Sequence, residues 1–418
     1  MNRSLYTVAL IMLTFFVISF LTNITGPLIP DIIRGFDLSL TLVALLPFAF
    51  FIAYGVMSIP SGMLLEKYKE KKMMAAAFAV SFFGSLILAL SPNYINAVLS
   101  LFFIGCGMAI LQVVINPLLR TAGGEEHYAF NSILAQLIFG LASFVSPLVY
   151  SGMVSDLGSG GTTSGIMSLL HRLTPPNLPW ISLYWLFALI SLAMIVVILL
   201  SRFPKVELSQ DEKAGTFQNY IDLFKKRVVI LYFIALFCYV GAEQGVANWI
   251  SQFLFAYHGY DPQTTGAKTV AYFWGLMTAG GVLGLLLVKL MDSRKVLILF
   301  TALALICLSL GLFGPGNIAL VAFPLVGFFA SVMYPIIFSL ALNSVKEHHG
   351  SFAGILVTGI VGGAVVPLIV GSLGDAIGLR YGMLFLYLPI GYILSIGFWA
   401  RPIISNKIIT RKKKAAVN

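Results

Sequence analysis

Twelve long, predominantly apolar runs follow one another along the chain, and no other feature limits so severely what it can fold into. In the first half they fall at roughly 5–33, 39–65, 72–91, 95–119, 128–153 and 179–201. In the second half they fall at roughly 228–256, 266–291, 295–313, 316–343, 351–374 and 381–400. A hydrocarbon layer about 30 Å thick is crossed by about 20 apolar residues in a helix. Lipid offers no partner to a backbone N–H or C=O, so such segments must be helical. The reading is an all-α membrane protein of twelve transmembrane helices. Composition agrees: 59% of the 418 residues are hydrophobic and 10% are charged, too few charges to cover a water-facing surface. A barrel would need alternating polar positions, which are absent.

The net charge of +10 does not point to nucleic acid, because the cations sit in short segments between apolar runs. They divide unevenly. The N-terminus, the even-to-odd loops and the C-terminal tail hold 22 of the 26 Lys and Arg; the opposite side holds only Arg34, Arg172, Lys268 and Arg380. Short loops rich in Lys and Arg stay in the cytoplasm. Both termini are therefore expected to be cytoplasmic and the protein to lie in the inner membrane. Cys106, Cys238 and Cys307 each fall inside an apolar run, an odd count that argues for buried thiols over a disulfide framework.

The longest polar stretch lies in the middle of the chain. It gives a first six-helix half (1–202), a cytoplasmic linker with an amphipathic segment (203–227), a second six-helix half (228–401) and a basic tail (402–418). The halves repeat. Gly62 and Gly284 are 222 residues apart, Pro117 and Pro335 are 218 apart, and Pro147 and Pro367 are 220 apart. A shift of six helices preserves direction, so the repeat predicts two halves related by a pseudo-two-fold axis along the membrane normal.

No nucleotide loop, metal-ligand spacing or nucleophile elbow occurs in the sequence. Neither cofactor nor metal is expected, nor an enzyme. What stands out is polarity at membrane depth. Glu243 lies midway along the seventh run, and is read as the carboxylate exception among otherwise uncharged helices. An ionisable group there costs at least about 2.5–3.5 kcal/mol and marks a pathway, so Glu243 is the candidate site for a coupling ion. Gln244, Asn248 and Trp249 continue the same segment, and Gln112, Asn116, Gln136, Trp274 and Asn343 add further polar or amphipathic groups. Amides donate to and accept from vicinal hydroxyls, and an aromatic face covers C–H groups. These eight are candidate contacts to a neutral, polyhydroxylated substrate. Some amides at such depth serve only to join helices. Around the basic turns, Glu66, Lys67 and Lys71 in the first half and Asp292 and Arg294 in the second are candidate gating charges, besides marking the topology.

Several segments carry a resemblance: Gly327-Phe-Phe-Ala-Ser-Val-Met-Tyr-Pro-Ile-Ile-Phe-Ser-Leu-Ala341, Gly362-Gly-Ala-Val-Val-Pro-Leu-Ile-Val-Gly-Ser-Leu-Gly-Asp375, Tyr239-Val-Gly-Ala-Glu243, Asn116-Pro117 and Leu134-Ala-Gln136. The chain resembles the fucose/glucose/galactose permease branch of the major facilitator superfamily over essentially its whole length. The resemblance implies a secondary transporter of twelve helices in the lipid bilayer that imports a monosaccharide with a proton; a monomer is expected, and a coupling cation with proton ahead of sodium. An uncoupled sugar uniporter and an exporter of amphiphiles are the alternatives. The family's fucose–proton pattern has acids where Gly26 and Gln112 stand here, an arginine where Gly281 stands and an amide where Phe139 stands. That proton route does not carry over: either coupling has moved to Glu243, or the ion is sodium, or there is no coupling. Of the family's polar positions only Gln136 is retained, with Gln112 as a changed one.

Overall fold

The structure, a computed structural model, describes residues 5–123, 128–158, 165–203, 217–345 and 349–403. Every regular element among them is helical, and twelve helices are long and apolar enough to span a membrane. They are α1 (Leu5–Phe36), α2 (Leu40–Leu65), α3 (Lys67–Leu90), α4 (Tyr94–Gly123), α5 (Tyr128–Gly158) and α6 (Pro179–Leu200) in the first lobe. The second lobe has α7 (Arg227–His258), α8 (Pro262–Leu290), α9 (Ser293–Phe313), α10 (Gly316–Leu342), α11 (Ser351–Ile377) and α12 (Leu379–Trp399). An even number of spans puts both ends of the chain at one face, the terminal face; the other is the far face. A short helix, Phe217–Phe224, occupies the amphipathic part of the linker. Positions 204–216 and most of the basic tail lie outside the described residues.

Sequence chemistry explains the ends of the spans. Ser39 accepts the Leu42 N–H at the start of α2, and Asp292 accepts the Arg294 N–H at 2.8 Å at the start of α9; both satisfy donors that have no partner within the helix. The segment 66–71, read from sequence as a loop, is helical on both sides of a single break at Lys69, whose φ is +63°. One residue in the left-handed region is enough to turn α2 into α3.

The first lobe is fastened by small hydroxyls and one amide. Ser19 and Asn23 on α1 meet Ser143 on α5 at 2.6 and 2.8 Å, and Ser146 donates to the Phe20 carbonyl at 2.8 Å. Short polar side chains allow close approach and replace the hydrophobic drive that lipid does not supply. The thiols of Cys106, Cys238 and Cys307 are free.

Buried apolar side chains form two cores. The larger runs through the first lobe and continues into the second through Val246, Trp249, Phe253, Phe273 and Val370. The smaller, with Val229, Tyr232, Leu297, Met333, Phe352 and Ile396, draws on the second lobe and on Leu223 of the linker helix. The lobes thus share a core toward the far face, whereas the buried core of the second lobe's terminal half takes no residue from the first.

Candidate functional site

Helix α7 presents two different faces. Residues 239, 242, 243 and 246 follow the i, i+3, i+4, i+7 rhythm that puts side chains on one side of a helix. Tyr239, Ala242, Glu243 and Val246 line a void with Phe273 on α8, Ala304 on α9, Met333 on α10 and Ile390 and Ile393 on α12. Its volume, about 10 Å³, is at the lower limit for one water molecule. The Tyr239 hydroxyl donates to Glu243 Oε2, and Gln244 Nε2 donates to Oε1 at 3.2 Å. The carboxylate therefore sits inside the second lobe with two neutral donors.

The other face carries Gly241, Gln244, Gly245 and Asn248 toward α1 and α11. Gln244 and Asn248 are buried, and Asn248 Nδ2 has no hydrogen-bond partner. A buried donor left unpaired costs about 1–3 kcal/mol, which makes Asn248 the side chain here most in need of a further acceptor. Gly26 sets the spacing of this seam: a Cβ there would lie 2.5 Å from the Ala247 carbonyl oxygen. The acid that the family pattern carries at this position has no room while α1 rests on α7. At Gly281, where the pattern has arginine, an added Cβ meets nothing within 4 Å, so that position is open.

The remaining candidates are spread out. Gln136 is exposed on α5 and Gln112 is half-buried on α4. On α8, Trp274 is buried with its indole N–H unpartnered. Trp249 is fully buried and donates to the Pro367 carbonyl at 3.3 Å, which ties α7 to α11. Asn343 closes the terminal-face end of α10: its carbonyl accepts the Ile403 N–H at 2.7 Å and its amide approaches Ser339 at 3.4 Å. The side chains of Asn116 and Glu66 lie outside the described set.

The gating candidates that are described bond within their own lobes. Lys71 donates to the carbonyls of Leu199 and Ser201 at 2.7 and 2.9 Å, where the C-terminal end of α6 favours a cation. Lys67 is exposed, 5.3 Å from the Tyr68 ring centroid. Arg294 pairs with Asp292 at 2.9 Å and donates to the Ala400 carbonyl at 3.3 Å. Hydrogen bonding from Arg294 holds the Asp292 carboxyl below the usual carboxylate range.

The lobes meet at the far face, and there sequence reasoning missed two carboxylates. Asp375, at the end of α11, accepts the Leu40 and Thr41 N–H groups of α2, each at 2.8 Å, and the Thr41 hydroxyl at 2.5 Å. Asp31 on α1 is only 6% exposed. It accepts from the Tyr150 hydroxyl on α5 and from Gln263 Nε2 on α8 at 3.1 and 3.2 Å. Singling out Glu243 as the membrane-depth carboxylate therefore has to be corrected. Asp31 stands inside the first apolar run, in Leu28-Ile-Pro-Asp-Ile-Ile33, and a charge within such a run was the signal. Arg34 adds a third cross-lobe contact, its guanidinium 4.3 Å from the Phe255 ring centroid. Midway between the faces, Gly140 on α5 packs on Thr278 of α8. Gln136 and the open Gly281 each lie about one turn beyond that contact, on the terminal side.

A family model described as Major Facilitator Superfamily matches residues 11–361. The chain belongs to the Major Facilitator Superfamily. As a superfamily member it is a membrane transporter and not an enzyme. A "Glucose/galactose transporter" of Brucella abortus biovar 1 is 31% identical over 394 residues, covering 92% of each chain. Among solved structures, the E. coli Fucose:proton symporter matches with TM-score 0.67 and 22% identity, over 96% of this chain and all of that one. A bacterial homologue of the human lysosomal transporter Spinster, inward-facing and unoccupied, matches with TM-score 0.77 and 15% identity, over 94% and 96% of the two chains. Both similarities fit twelve helices in two lobes.

Proposed function

We propose that this superfamily member imports a neutral, hexose-like monosaccharide by alternating access, coupled to a cation, with the proton ahead of sodium. The observation that carries the reading is the asymmetry of the seam. The lobes are bonded together at the far face through Asp375 and Asp31, while the core of the second lobe's terminal half takes no residue from the first lobe. Twenty-two of 26 Lys and Arg lie on the terminal side, so the positive-inside rule makes that side cytoplasmic, in the inner membrane. The state described then opens inward.

The sugar is met by Gln112 and Gln136 from the first lobe and by Gln244, Asn248 and Trp274 from the second. Asn116 joins them on the strength of its place on α4. The unpaired Asn248 amide and Trp274 indole supply donors for sugar hydroxyls, and among the described residues no Lys or Arg is buried to call for an anionic substrate. Glu243 carries the proton: a carboxylate enclosed in apolar walls, with neutral donors and no cation bonded to it, is neutralised by a proton more readily than one held in an ion pair. The name of the Brucella relative and the proton coupling of the E. coli symporter support the same assignment. The basic turns around Glu66, Lys67, Lys71, Asp292 and Arg294 gate the terminal face, and the protein works as a monomer.

Uptake of labelled glucose, galactose and fucose into proteoliposomes, with a pH gradient, a sodium gradient or neither, tests the proposal. Accumulation that requires the pH gradient is expected. Absence of sugar uptake and of counterflow would reject it. A second reading, export of amphiphiles, draws on one feature: an open, largely apolar groove of about 490 Å³ between α5 and α8, lined by Leu137, Leu141, Phe144, Tyr272 and Leu276. Stabilisation of the detergent-solubilised protein by lipophilic cations but not by sugars would favour it.

A further inference from the structure

Asp31 does none of the work assigned above to Glu243, yet it is the less solvent-exposed of the two and stands where three helices from both lobes converge. We propose that Asp31 is a positioning residue for transport, the buried half of a far-face lock whose other half is Gln263, and that breaking this pair is the step that lets the far face open. The inference rests on the alternating-access part of the reading above, not on the identity of the cargo.

The geometry separates two bonds with different duties. Tyr150 on α5 belongs to the same lobe as Asp31 and holds the carboxylate in place whatever the lobes do. Gln263 on α8 belongs to the other lobe, and its amide reaches both carboxylate oxygens. Nothing but the approach of the lobes keeps that amide within reach. The charged groups nearby are Arg34, one turn further along α1, and Asp261, two residues before Gln263. Arg34 lies over Phe255 and Asp261 is occupied with the Thr264 hydroxyl at 2.6 Å and the Thr264 N–H at 3.1 Å. The cross-lobe bond is thus a neutral amide against a carboxylate.

That pairing suits a gate. An ion pair at this depth would be hard to separate once formed, because each charge would lose its partner. When the far face opens, water reaches Asp31 and replaces a neutral donor, so the two states differ by little and a bound ligand can tip them. Asp375 makes the companion contact at the exposed rim, so the seam is closed by one carboxylate from each lobe. Asp31 points from the first lobe to the second, and Asp375 from the second to the first.

The test places spin labels at Ile95→Cys on α4 and Phe313→Cys on α9, both exposed at the far-face ends of their helices. The full chain, with its native cysteines changed to serine, is reconstituted in lipid nanodiscs, and the distance distribution is read with neither sugar nor gradient. Gln263→Ala is expected to raise the open-to-closed ratio about tenfold, the scale set by one hydrogen bond to a charged group. Gln263→Glu, an isosteric change that sets a second carboxylate against Asp31, is expected to raise it further. Distributions unchanged in both variants would overturn the lock. A shifted distribution in a chain that takes up no sugar would count against the sugar assignment and leave the lock standing; unchanged distances with normal uptake would do the reverse.

Discussion

Asp375 caps a helix that belongs to the other lobe. Its carboxylate accepts the Thr41 N–H at 2.8 Å and the Thr41 hydroxyl at 2.5 Å, and takes the Leu40 N–H besides. The first N–H groups of any helix lack partners within it and carry the positive end of its dipole. Helix α2 satisfies one through Ser39 in its own chain segment and two through Asp375 across the seam, so the cap exists only while the far face is shut. Asp375→Ala is expected to weaken the closed state by about 0.5–2 kcal/mol, the usual worth of a cap. Cysteine-labelling rates at the far-face ends of the helices should rise; unaltered rates would show the cap to be incidental.

Glu243→Gln keeps the size of the side chain and removes the exchangeable proton. Gradient-driven accumulation of sugar in proteoliposomes is expected to disappear while exchange of labelled for unlabelled sugar persists. Concentrative uptake at the wild-type rate would place coupling elsewhere.

Gln136→Ala removes an exposed amide that lies about one turn beyond the α5–α8 contact. Sugar affinity is expected to fall by about 1–3 kcal/mol if a buried hydrogen bond to the bound sugar is lost. Titration calorimetry on purified protein measures this, and an unchanged affinity would leave Gln136 with no part in binding.

Gly26→Asp restores the family's acid where there is no space for it. With the Ala247 carbonyl 2.5 Å from the new Cβ, α1 must move off α7, and a loss of about 1–3 kcal/mol is expected. Gly281→Ala places a Cβ into open space and should change stability by about 0.5 kcal/mol or less. Melting temperatures of the two variants decide the matter; equal losses would contradict the asymmetry of the seam.

Acid should weaken the Asp292–Arg294 pair in one direction only. The Asp292 carboxyl is held below its ordinary value by Arg294, so its contribution is fully present above the unfolded value of about 3.9. It is lost as the pH falls through the lower folded value. Asp292→Asn should remove this part of the acid sensitivity, seen as a flatter melting curve against pH at the low end.

Much of the architecture was legible in the sequence because lipid leaves the backbone one option. The sixth run was read from 179 and α6 begins at Pro179, whereas the second, read to end at 65, runs on helically to the break at Lys69. The turn at Lys69 was not legible, since a lone left-handed residue among lysines has no glycine to announce it. The site was harder to read. Gln244 and Asn248 share the lobe-facing side of α7, as residues four apart must, whereas Glu243, next in sequence to Gln244, turns into the second lobe. Adjacent residues on a helix point about 100° apart, and composition alone cannot say which neighbour each one meets. Asp31 was not legible as a contact between lobes, because it lies near the end of its run and its partners Tyr150 and Gln263 are 119 and 232 residues away.

The self-sufficient core in the terminal half of the second lobe has a mechanical corollary. Val229, Leu297, Met333 and Ile396 bury one another without borrowing a side chain from across the seam. That half-lobe can swing as a stiff lever with its interior untouched, and the wear of each cycle falls on a narrow strip where Gly26 meets Ala247 and Gly363 meets Phe51. Bulk added along that strip is expected to alter the pace of turnover, whereas bulk added inside the lever would alter only whether it folds.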